Sequence, residues 1–229
     1  SLPVFNSMNK TEMKIWMKIS VCCFLLGSLS AIWEAKSEEP ERTPNIAPKD
    51  VREMLFLENE EVRVGIDQLM GGAITHLSWK GHQKNAVNIH DPGRLVQQSY
   101  YAGRRLDRKA DGQSKNWSPW TWNPIQGGGV SSWARVTESK ILDEGTLFAE
   151  TIPKLWDMAN EEADALMQQW TGWEPAVENV IIVRCQLICR REPNDRWGPA
   201  VRRHQEVPAL YFTRNFGQFR SYLGKGEWR

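Results

Sequence analysis

An antiparallel all-β sandwich is the fold this sequence predicts, and three observations predict it. Apolar residues recur at every second position in several short segments, as in Val62-Val64-Ile66 and Ile181-Val183-Cys185-Leu187-Cys189. Period two is the mark of a strand with one face buried. Turn-forming groups separate these segments, notably Gly71-Gly72, Lys80-Gly81-His82 and Asp143-Glu144-Gly145, and such groups close hairpins. Only one stretch carries a helix start, Asn160 followed by Glu161 and Glu162, and it is short.

Taken in order, the chain opens with Lys10, Lys14 and Lys18, then the apolar or small run ISVCCFLLGSLSAI over 19–32, then a polar run. That is the three-part layout of a secretory signal peptide. Its apolar core is shorter than the about 20 residues a membrane span needs. Ser28, Ser30, Ala31 and Ala35 offer cleavage points. The expectation is a signal peptide over 1–35, hence a secreted or periplasmic protein with no membrane attachment after cleavage. An uncleaved anchor is the competing reading. A charged linker with Pro40, Pro44 and Pro48 follows over 36–57, and the sandwich domain is expected over 58–229.

Within that domain the alternation predicts strands over 59–66, 73–79, 86–89 and 95–101, then a hairpin of 131–142 with 147–152. The one short helix is expected near 160–167, capped by Asn160. Strands follow over 177–190 and 207–213. Cys185 and Cys189 share a strand face, about 13 Å apart by the strand rise, too far for a disulfide. They are expected as small core residues, and Cys22 and Cys23 leave with the signal peptide.

The 229 residues carry a formal net charge of +1, which argues against nucleic acid as the main partner. Arg104, Arg105, Arg108 and Lys109 make a short basic run, but Asp107 and Asp111 interrupt it, as on a solvated face. Twelve tryptophans are many for this length, and several sit in polar loops. Trp117, Trp120 and Trp122 share the segment 88–129 with Tyr100, Tyr101 and a set of Asp, Arg, Gln and Asn side chains. Aromatic faces beside planar polar groups suit a sugar ring. The residues expected to bind it are Asp91, Arg94, Gln97, Tyr101, Trp120, Trp122, Asn123 and Gln126. Arg94 follows the turn Pro92-Gly93 and could hold a ligand or pair with an acid such as Asp91. Strand alternation allows only one face of Gln97–Tyr101 to line a pocket. Pro119 and Pro124 stiffen the tryptophan loop.

For catalysis the candidates are His90, His204 and Glu206, each equally readable as structural. No nucleophile elbow, phosphate loop or paired zinc spacing occurs, so neither metal nor cofactor is expected.

The segment VRVGIDQLMGGAITHLSWKG, with DPGRLVQQSYYAG, WNPIQGG and QEVPALYF after it, resembles the galactose mutarotase-like superfamily, and within it a secreted or periplasmic bacterial group. The resemblance runs from about Glu58 onward. It implies a large antiparallel β-supersandwich and a carbohydrate ligand, with any activity lyase-, epimerase- or hydrolase-like. The motif that carries the histidine acid of the family's aldose epimerases is missing: His204 stands in RRHQEVPALYF instead. The family's late glutamate strand would lie past Arg229, so the resemblance implies an incomplete supersandwich. Two functions are therefore expected in competition. One is a secreted carbohydrate-binding or carbohydrate-active protein, and the other a non-catalytic envelope protein that docks glycan or a protein partner.

Overall fold

A computed structural model describes residues 13–22, 53–143, 145–201, 204–216, 220, 222–224 and 227–228. Its strands in chain order are β1 (Met13–Cys22), β2 (Met54–Glu58), β3 (Val62–Asp67), β4 (Ile74–Trp79), β5 (Val96–Ser99), β6 (Ala102–Leu106), β7 (Trp120–Trp122), β8 (Pro124–Ile125) and β9 (Gly128–Gly129). Then come β10 (Ser132–Trp133), β11 (Arg135–Leu142), β12 (Thr146–Ile152), β13 (Lys154–Leu155), β14 (Ala165–Trp173), β15 (Val180–Cys189), β16 (Glu206–Leu210), β17 (Tyr222–Gly224) and β18 (Glu227–Trp228). One sheet has the order β1-β15-β14-β12-β11. A second runs β13-β8-β5-β4-β3-β2, with β16 also paired to β5, and β6-β7, β9-β10 and β17-β18 form separate two-stranded sheets. Every ladder is antiparallel, and the all-β class is as the alternation predicts.

The period-two residues build the core. Val62, Val64 and Ile66 from β3 meet Leu147 and Ala149 from β12, Met167 from β14, and Ile181, Val183, Cys185 and Leu187 from β15 in one buried cluster. Each aliphatic side chain fully buried there contributes about 1.5–3 kcal/mol. The Gly71-Gly72 turn joins the two sheets. Both glycines are left-handed, at φ 64° and 62°. The Thr151 hydroxyl on β12 donates to the Gly71 carbonyl at 2.7 Å, and a Cβ on Gly72 would lie 2.4 Å from that of Ala149.

The helix expected near 160–167 is not there. Ala165–Trp173 is a nine-residue strand, β14, laddered on one side to β12 and on the other to β15. Ala165, Leu166 and Met167 are all buried in it, and two flanking ladders outweigh a local cap preference. Glu161 and Glu162, read as first-turn acids, instead pair with arginines: Glu161 with Arg108 and Arg196, and Glu162 with Arg135. Among the described residues the helical ones form two single 3-10 turns, Lys109–Asp111 and Lys115–Trp117. The strand expected over 86–89 reduces to one bridge, Val87 with Phe212.

Cys185 and Cys189 are free, as their spacing predicts, and burial pushes the Cys185 thiol up to about 12. The sandwich takes in β2, whose residues the sequence assigns to the end of the linker. Within the segment read as a leader, Met13–Cys22 lies along the edge of β15, Met13 opposite Cys189 and Cys22 opposite Val180. The rest of that leader and linker, 1–12 and 23–52, lies outside the described residues. No helix among the described residues is long and apolar enough to cross a membrane.

Candidate functional site

The loop from Trp120 to Gly129 crosses the end of β5, where regular pairing shrinks to the single pair Ser99–Ile125. Side-chain amides take over the bonding that the ladder gives up. Gln97 donates to the Pro92 carbonyl at 2.7 Å and accepts from the Gly127 N–H at 2.6 Å. Gln126 accepts from the Gln98 N–H at 3.2 Å, and the Gln126 N–H donates to the Gln98 carbonyl at 3.0 Å. Asn123 donates to the Tyr100 carbonyl at 2.8 Å and accepts from Trp120 Nε1 at 3.1 Å. Gln97, Asn123 and Gln126 are each 0 % exposed. A buried amide bonded to backbone fixes chain geometry, and each of the three has at least one such bond, so these candidates hold the loop and do not face solvent, with Gln126 Nε2 left without a partner among the described residues.

What the loop presents is aromatic. Tyr101 and Trp120 meet edge to face with centroids 6.5 Å apart, Trp120 and Trp117 at 5.1 Å, and Trp117 and Trp156 at 5.4 Å. All four rings are half-buried. Trp156 closes the run against the Asp91–Arg94 turn, where a Cβ on Gly93 would lie 2.9 Å from its ring. Trp122, also a candidate, is not part of this run. It is buried in the core cluster, with the Arg191 guanidinium 5.3 Å from its ring centre.

Polar candidates border the run. Arg94 pairs with Asp91 at 3.3 Å, and the Asp91 carboxylate also caps the Gly93 N–H at 2.9 Å. Gln205 grips the Tyr101 backbone from both sides, at 2.8 Å each. Burial, with help from the Glu206 carboxylate, holds the phenols of Tyr101 and Tyr211 above their usual range. His204 and Glu206 line one shallow groove of about 330 Å³ along residues 204–211. His90 is exposed, its backbone N–H bonded to Asn88, and it does not line that groove.

A second concavity, of about 410 Å³, lies on the far side of β7 and β13, lined by Trp122, Leu155, Glu161, Asp164, Arg191 and Trp197 among others. Its walls are mostly self-paired: Arg191 binds Asp195 at 2.7 Å, and Arg196 binds Glu161. Alternation assigns the two surfaces, Leu155 facing one and Trp156 the other. Nothing in the sequence marks Trp156 or Glu161 as neighbours of the tryptophan loop, because both arrive from distant elements. Among the described residues no group of three His, Cys, Asp or Glu side chains gathers as a metal site would.

No family model, curated protein or solved structure matches this chain.

One buried acid stands behind the site. Asp157 accepts from Gln113 Nε2 at 2.6 Å, while its Oδ1 has no partner. Burial raises its pKa, against the opposing pull of the Gln113 bond and of Arg108. A carboxyl with a raised folded pKa binds its proton more tightly when folded. Stability therefore falls as pH rises from the ordinary carboxylate range through the folded value. Asp157→Asn keeps an oxygen for Gln113 and cannot ionise. Urea unfolding between pH 4 and pH 7 should show a shallower loss of stability in the variant. An unchanged slope would remove Asp157 as its source.

Proposed function

We propose that this chain is an exported carbohydrate-binding protein whose ligand lies on the run Tyr101–Trp120–Trp117–Trp156. The observation that carries this reading is four half-exposed rings in unbroken contact, set in a frame of buried amides. A row of half-buried rings offers the apolar faces on which a sugar ring can stack. Successive rings stand 70–75° apart, giving a stepped surface that fits a saccharide chain better than a single flat ring. The flanking Arg94, Asp91, Gln205 and Glu206 supply donors and acceptors for hydroxyl groups. Gln97, Asn123 and Gln126 act by holding the loop in place. The resemblance to the galactose mutarotase-like superfamily supports a carbohydrate ligand, and the charged-apolar-polar order at the start of the sequence supports export.

The test is titration calorimetry with neutral and acidic oligosaccharides. Trp117→Ala and Trp120→Ala are each expected to weaken binding about tenfold, which corresponds to about 1.4 kcal/mol. Trp120→Phe should retain most of the affinity, which separates a lost stacking face from a disturbed loop. If both alanine variants, folded by circular dichroism, bind as the parent does, the aromatic run is not the site.

A further inference from the structure

This inference rests on the saccharide reading and concerns the charge of the ligand. The structure divides the basic run 104–109 residue by residue. Arg108 turns inward and bonds Glu161. Lys109 pairs with Asp107 at 3.0 Å. Arg104 donates Nε to the Arg196 carbonyl at 3.1 Å. Arg105 is left over: exposed, its guanidinium carbon 5.6 Å from the centre of the Trp120 ring, with no carboxylate partner among the described residues. Lys115 is a second case. It shares the 3-10 turn Lys115–Trp117 with the neighbouring ring of the run, is exposed, and likewise has no carboxylate partner among the described residues.

Two acids on the same border are already engaged, while Asp111 lies 4.0 Å from the inward-turned Arg108. Asp91 holds Arg94 at 3.3 Å. Asp107 binds Lys109 and the Ser118 hydroxyl, and Lys109 holds its carboxyl below the usual range. The Trp120–Trp117 middle of the run is therefore flanked by positive charge, whereas Glu206 makes the Tyr101 end negative. We propose that the ligand is an acidic saccharide, with a sugar ring on Trp117 and Trp120 and its carboxylate or sulfate between Arg105 and Lys115. A guanidinium fork matches a planar carboxylate, and the ammonium adds a point charge.

The experiment titrates the full chain with length-matched oligomers of galacturonate, sulfated dextran and neutral dextran, at 20 and 150 mM salt. At least one charged oligomer should bind tenfold or more tighter than the neutral one, with the gap narrowing at higher salt. In Arg105→Gln combined with Lys115→Gln, the gap should fall below threefold. Preference for galacturonate or for sulfated dextran tells carboxylate from sulfate. Equal binding of charged and neutral oligomers, or an undiminished gap in the double variant, overturns the charge inference and leaves the saccharide reading standing. A single-stranded oligonucleotide bound as tightly as the best saccharide also overturns it, since charge alone would then suffice. Absence of binding by every oligomer at millimolar concentration sinks the saccharide reading and this inference together.

Discussion

Gly71→Ala is expected to lower the free energy of unfolding by about 4 kcal/mol: about 1–2 for a left-handed backbone and about 2–3 for overpacking. Gly71 sits at φ +64°, and a Cβ there would lie 1.9 Å from the Gln126 carbonyl oxygen and 3.0 Å from the Gly127 Cα. Both neighbours are backbone, so no side chain can swing aside. Neither strand of the contact is free to retreat. The Gly71 carbonyl takes the Thr151 hydroxyl, and Gln126 is bonded to Gln98 through backbone and side chain. Gly145→Ala is the control. It too is left-handed, at φ +67°, but nothing lies within 4 Å of its Cβ, so only the backbone cost of about 1–2 kcal/mol applies. Urea unfolding followed by tryptophan fluorescence gives both values. If the two variants lose the same stability, the close approach to Gln126 does not matter. Because this contact fixes the loop behind Trp120, folded Gly71→Ala should also bind saccharide more weakly.

Strand alternation was legible because it is local. Val62-Val64-Ile66 and Ile181 to Cys189 declare their faces through period two, and the hairpin turns lie between them in sequence. The helix at 160–167 failed for the opposite reason. Asn160 and the two glutamates favour a helix start locally, but β15 ladders the whole of β14 and β12 ladders Met167–Thr171, and no reading of residues 160–167 alone contains those partners. The same limit divides the candidate site. Trp120 and Tyr101 were readable as exposed aromatics in a polar loop. Gln97, Asn123 and Gln126 looked like ligand groups because an amide that will replace missing ladder bonds has the same composition as one that will bind a sugar. Only the reduction of the β5–β8 ladder to Ser99–Ile125 distinguishes them. Trp156 joins the run from a segment well beyond the tryptophan loop in the chain, and no periodicity connects the two.

Glu161→Ala should cost about 3 kcal/mol, the size expected when one partner of a buried ion pair is removed and the other charge is stranded. The Arg108 side chain is only 4 % exposed, while Glu161 is 26 % exposed. Arg108 Nη2 donates to Glu161, whereas Nε and Nη1 have no hydrogen-bond partner. Asp111 lies 4.0 Å from Nε, beyond hydrogen-bond reach. The Trp197 ring, 5.0 Å from the guanidinium, stabilises the charge but cannot neutralise it. Without Glu161 the guanidinium must stay buried with no bonded carboxylate or pull out into solvent, although the Arg108 backbone N–H stays bonded to the Gln113 side chain. Arg196 separates burial from mere pairing. It bonds the same glutamate but is 51 % exposed, so Arg196→Ala should cost no more than about 1 kcal/mol. Replacing both members of the buried pair, Arg108→Met with Glu161→Leu, should recover most of the loss, because no charge then remains to be stranded. If Glu161→Ala costs under 1 kcal/mol, or the double variant is as unstable as the single one, water reaches Arg108 and the pair does not organise this side of the sandwich.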